Sequence, residues 1–98
     1  MTDSDREKLC DTWQVHQSMD WPDGLGSHEG QLMTLDTVIG GCLIYYFDEH
    51  HLDEPRIEIL RDCLAELESI VPDLLTEARS EYFRRLRFLG VTLLQDFS

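Results

Sequence analysis

Positive charge is what this sequence has least of. Residues 1–54 contain two basic side chains, Arg6 and Lys8, against twelve acids, a balance of −10. Residues 55–98 set six arginines against eight acids, a balance of −2, so the whole chain carries −12. Nucleic-acid binding depends on neutralising phosphates with Lys and Arg, and an anionic membrane surface recruits the same side chains. Direct contact with either is therefore not expected. Long apolar runs are missing too: the longest, Val38 to Phe47, has ten residues including two glycines, and a membrane span needs about 20. The opening "MTDSDREK" is polar and lacks the apolar segment of a signal peptide, which leads to the expectation of a soluble cytoplasmic protein. The three cysteines, Cys10, Cys42 and Cys63, are odd in number and form no Cys-x-x-Cys pair. They read as small apolar side chains in a reducing compartment. Gly24 and Gly26 are not followed by Gly-Lys-Ser/Thr, which excludes a phosphate loop.

What is present is helical periodicity. The 98 residues suffice for one domain, 1–98, with little interior left for a deep substrate cavity. Residues 3–19 suggest a short first helix, with Asp3, Ser4 and Asp5 as candidate caps and Leu9, Trp13 and His16 at helical spacing. The stretch 20–30, "DWPDGLGSHEG", is an irregular loop in which Trp21 is placed to cover the core. Residues 32–48 admit helix or strand. Leu35, Val38, Ile39, Cys42, Leu43 and Tyr46 form a three-turn stripe with Thr34 as a candidate cap, whereas Gly40-Gly41 and the run "CLIYYF" favour a strand. The length of the stripe favours helix. A third helix runs from Asp53 to Val71, capped by Asp53 or Glu54 with Pro55 in its first turn and Pro72 after it. On its exposed face, Glu54, Glu58 and Arg61 are spaced to pair. A fourth runs from Asp73 to about Phe97, capped by Asp73 or Thr76, with Leu75, Ala78, Tyr82, Leu86, Leu89, Leu93 and Phe97 as its stripe. The fold class expected is all-α: a bundle of three long helices with a shorter N-terminal one.

The segment Tyr45 to Glu54, "YYFDEHHLDE", is the densest in chemistry. His50 and His51 are adjacent, and zinc ligands on a helix are usually spaced by three to five residues. A calcium loop needs Asp or Asn at its first, third and fifth positions and Gly at its sixth, and Asp48, His50 and Leu52 do not supply this. No metal and no cofactor is therefore expected. Ser27-His28-Glu29 and Cys10 with His16 match catalytic residue types, but adjacent or same-helix residues do not form a triad, and no enzymatic activity is expected. The remaining reading is a contact surface. Tyr45, Tyr46, Asp48, Glu49, Asp53 and Glu54 form an aromatic-acidic patch suited to a basic protein, the rings giving buried area and the charges steering encounter. One tyrosine helps fill the core and the other projects. Arg79, Arg84, Arg85 and Arg87 read as a solvated face with pairs such as Glu81–Arg85, or as a surface that docks a neighbouring subunit.

"LIYY", Leu43 to Tyr46, followed by acids and a helix after a proline, resembles part of the colicin DNase immunity proteins. The resemblance spans Leu43 to Glu54, departs from that family at Phe47 where the family has proline, and does not extend into the C-terminal half. It implies a small acidic helical bacterial protein that blocks a basic nuclease toxin, with Tyr45, Tyr46, Asp48 and Glu49 at the contact. The expected function is thus non-enzymatic inhibition of a basic protein partner, of immunity or antitoxin type. The alternatives are a helical homo-oligomer or small subunit of a larger assembly, with an apolar patch on the last helix, and an acidic nucleic-acid mimic.

Overall fold

The computed structural model describes residues 2–70 and 77–96, except the side chains of Glu77 and Ala78. The expectations placed on Val71, Pro72, Asp73, Leu75, Thr76 and Phe97 lie outside the described residues, as does that on the Ala78 side chain. The described residues form four α-helices: α1 Asp3–Ser18, α2 Glu29–Glu49, α3 Glu54–Ile70 and α4 Glu77–Gln95. No strand occurs among the described residues. Among the described residues, no helix is long and apolar enough to cross a membrane.

The ambiguous segment is helical from end to end, because its apolar stripe has somewhere to go. Leu32, Leu35, Ile39, Cys42, Leu43 and Tyr46 all enter one core with Leu9 of α1, Leu60, Leu64 and Leu67 of α3, and Phe83, Leu86, Leu89 and Leu93 of α4. Two glycines permit close contacts between helices. A Cβ on Gly40 would lie 3.1 Å from the Trp13 ring, so this glycine lets α1 approach α2. Gly90 does the same for Leu64, 2.6 Å away, between α3 and α4.

Two helix starts differ from expectation. Thr2, in extended conformation, accepts the Asp5 N–H at 3.1 Å and caps α1, which leaves Asp3 and Asp5 in the first turn. α2 begins at Glu29, directly after a 3-10 turn Gly26–His28, so Thr34 lies inside the helix and its hydroxyl donates to the Gly30 carbonyl at 3.1 Å. The preceding loop is fastened to α4. Arg79 Nε donates to the Asp23 carbonyl at 2.6 Å. Trp21 sets its ring edge-on to Tyr82 and Phe83, at 5.6 and 5.7 Å, as the expected cover on the core.

Side-chain contacts give the directions. Arg6 meets Tyr46 and His16 meets Asp36, so α1 and α2 are antiparallel. Gly90 faces Leu64 and Arg87 pairs with Glu68, so α3 and α4 are antiparallel. At about 1.5 Å per residue, the 21 residues of α2 reach most of the way along the 36 Å longest dimension. The start of α1, the end of α2 and the start of α3 consequently meet at one pole.

Candidate protein-binding surface

That pole is built by the segment "YYFDEHHLDE". α2 stops because His50 adopts a left-handed conformation, φ 56°, with its N–H bonded to the Tyr46 carbonyl at 2.7 Å. Glycine usually fills this position, since a Cβ is strained there. Leu52, fully buried, pins the connection to the core. Asp53 then starts α3: its Oδ1 accepts the Arg56 N–H at 3.1 Å, and its other oxygen pairs with the Arg56 guanidinium.

The two tyrosines part company, as one helical step of about 100° requires. Tyr46 is 1% exposed, and its hydroxyl receives a hydrogen bond from Arg6 Nε at 3.3 Å. That bond is the main reason the Arg6 pKa lies above its ordinary value. Tyr46 is therefore a core residue and does not project as an anchor. Tyr45 is half-buried, and the Arg56 guanidinium lies 3.8 Å over its ring. Asp53 and Tyr45 are thus tied to each other through Arg56. Asp48, Glu49 and Glu54 stay exposed, and none forms an ion pair among the described residues. Asp48 and Glu49 occupy the last turn of α2, which has no basic side chain. Acids at a helix C-terminus face the negative end of its dipole, an arrangement that costs about 0.3–1 kcal/mol each.

α1 adds acids that the sequence keeps some 40 positions away. Asp3, Glu7 and Asp11 recur every four residues along one side of α1, and with Arg6, Cys10 and Phe47 they line a shallow groove of about 340 Å³. Phe47, half-buried and edge-on to Tyr46 at 5.8 Å, is the ring that this groove exposes. The i, i+4, i+8 spacing of the acids was visible in the sequence, but only the Arg6–Tyr46 contact places them beside α2. Among the described residues, no group of three or more His, Cys, Asp or Glu side chains could hold a metal ion.

A second polar cluster was not recognised as a cluster in the sequence. His16 of α1 is 3% exposed, its Nε2 lies 2.9 Å from Asp36 Oδ1 of α2, and the Tyr82 hydroxyl of α4 donates to the same oxygen at 3.3 Å. The His16 and Tyr82 rings are 4.4 Å apart. Burial, and then the Asp36 charge, push the Tyr82 phenol up to about 12. Arg85 belongs here as well. Its side chain is 14% exposed, its nearest carboxylate is Glu81 at 3.7 Å, and its Nη1 is buried with no hydrogen-bond partner. The expected solvated arginine face is therefore broken at Arg85, while Arg84 is exposed and Arg87 pairs with Glu68 at 2.7 Å. No ion pair joins Arg61 to Glu58 or Glu54 among the described residues. Only the helical spacing of His16 on α1 hinted that it faces inward.

No family model, curated protein or solved structure matches this chain. Cys10 lines the acidic groove, Cys42 is buried beside Arg56 and Asp53, and Cys63 is half-buried; burial raises the Cys42 and Cys63 thiol pKa values.

Proposed function

We propose that the protein is a non-enzymatic inhibitor of immunity or antitoxin type, which occupies the functional surface of a basic protein with its acidic pole. One observation carries this reading. Asp3, Glu7 and Asp11 of α1 line a groove with the half-buried Phe47, and Asp48 and Glu49 follow Phe47 in the last turn of α2. Three carboxylates then share a groove with one aromatic ring, and two more sit where the helix dipole opposes them. Placement that weakens a helix without an internal partner is the mark of a surface kept for another molecule. A basic partner would relieve the repulsion on binding, be steered by the field at long range, and seat an apolar group on Phe47. Tyr45, Asp53 and Glu54 form the margin, and Tyr46 holds the surface up from below. The buried His16–Asp36–Tyr82 bonds are directed at one another, in keeping with a role in joining helices.

The test is affinity capture from the native host, run in parallel with wild type and an Asp48→Lys/Glu49→Lys variant. A strongly basic protein should be retained by the wild type and lost from the variant. With the purified partner at low salt, the variant should associate about tenfold or more slowly, and its rate should depend less on ionic strength. Equal capture by both proteins, or equal association rates, would refute the reading.

A further inference from the structure

α2 is apolar on two sides. One enters the core; the other faces out and carries two of the most exposed large hydrophobes in the molecule, Met33 at 49% and Ile44 at 50%. Between and beside them lie Gly30, Thr34, Thr37 and Gly41, all exposed. The threonine hydroxyls donate to carbonyls of their own helix, Thr34 to Gly30 at 3.1 Å and Thr37 to Met33 at 2.9 Å. They add no outward demand for water. From Gly30 to Phe47 the only charged side chain is Asp36, and it points toward His16 and Tyr82. In a chain of net charge −12, this is the surface along which like-charged copies can meet.

The glycines ask for an explanation. Trp13 accounts for Gly40, but a Cβ on Gly30 or Gly41 would meet nothing within 4 Å. A mid-helix glycine is inferior to alanine as a helix former, and nothing inside the chain requires one at 41. The spacing supplies the reason. Gly30, Met33, Thr37, Gly41 and Ile44 step by three, four, four and three, which is symmetric about Thr37. Two α2 helices laid antiparallel across a two-fold axis at Thr37 set Met33 against Gly41 of the partner subunit. The same axis sets Ile44 against Gly30 of the partner subunit. Each exposed hydrophobe meets a glycine, the large-into-small complementarity that close helix packing and isologous contacts require. A hollow of about 320 Å³ lined by Gly30, Met33, Thr34, Thr37 and Val38 lies where Ile44 of the partner subunit would enter. Charge agrees with the register: Glu29 falls opposite Tyr45 of the partner subunit, and in each copy Tyr45 carries the Arg56 guanidinium over its ring. The antiparallel dipoles are also favourable.

We infer that the protein forms a two-fold dimer through the outer face of α2, centred on Thr37. The acidic groove opens between Phe47 and α1, on a different side of α2, so a dimer presents two such grooves. The dimer does not depend on the inhibitor reading.

Sedimentation velocity on the full chain should show the mass rising from 11.4 kDa toward twice that value as concentration increases to about 500 µM. Gly41→Met has open space in the single chain, so helical circular dichroism should be retained while dimer affinity falls about tenfold or more. Adding Met33→Ala to Gly41→Met exchanges large for small across the axis and should recover most of that loss. A wild type that stays monomeric at about 500 µM overturns the inference. So does dimerisation unaffected by Gly41→Met, or a double variant no better than the single one.

Discussion

Tyrosine, arginine and aspartate are brought together twice in this molecule. At the acidic pole they are Tyr45, Arg56 and Asp53; in the interior they are Tyr82, Arg85 and Asp36, joined by His16. At the pole, water screens the charges and each polar group has an alternative partner, so the contacts shape a helix start and a surface. In the interior, Asp36 must satisfy two neighbours at once and Arg85 keeps a nitrogen that no group satisfies. Residue type does not decide whether such a cluster is structural; access to solvent does.

That contrast can be broken by substitution. His16→Ala should have the largest effect, a loss of about 2–4 kcal/mol of unfolding free energy, because it opens a cavity and strips Asp36 of a buried partner. Urea denaturation would measure it, and the contrast fails if His50→Ala at the pole is equally damaging. Arg85→Met should be neutral or stabilising by about 1 kcal/mol or more, since it removes a largely covered cation that is poorly paired. A clear loss of stability would mean that the guanidinium is satisfied in solution.

pH offers a second approach. The Tyr82 phenol is raised to about 12 in the folded state, against about 10 for an unfolded tyrosine. The neutral form is the one the fold favours. Its contribution is therefore complete below pH about 10 and lost as pH rises from there through about 12. Absorbance at alkaline pH should show one tyrosine ionising last, and Tyr82→Phe should abolish that phase and flatten the stability decline. Smaller effects belong to the pole. His50→Gly relieves a left-handed residue, φ 56°, and should stabilise by about 1 kcal/mol, visible as a higher melting temperature. Arg56→Ala removes an exposed ion pair and a cation–aromatic contact, with an expected loss of less than about 1 kcal/mol.

Much of the fold could be read in advance where apolar spacing was regular. The described members of the stripe expected on α4, Tyr82, Leu86, Leu89 and Leu93, are all buried. The helix starts were less legible. Thr2 was passed over because three capping types follow it, and α2 begins five residues before Thr34, in a stretch read as loop. The candidate contact surface was half legible. Asp48, Glu49 and Glu54 are exposed, whereas Tyr46 is turned inward by the helical step that leaves Tyr45 at the margin. The α1 acids and Phe47 went unrecognised because no local pattern reveals which helix end lies beside which.

The chain by itself determined its helical character and its excess of negative charge, because periodicity and composition are properties of neighbouring residues. Only the tertiary structure decided which of two adjoining tyrosines is covered, which arginine has a buried nitrogen, and which distant acids share one groove. Those outcomes depend on contacts between residues some 20 to 46 positions apart, and desolvation is set by the whole packed molecule rather than by any segment of it.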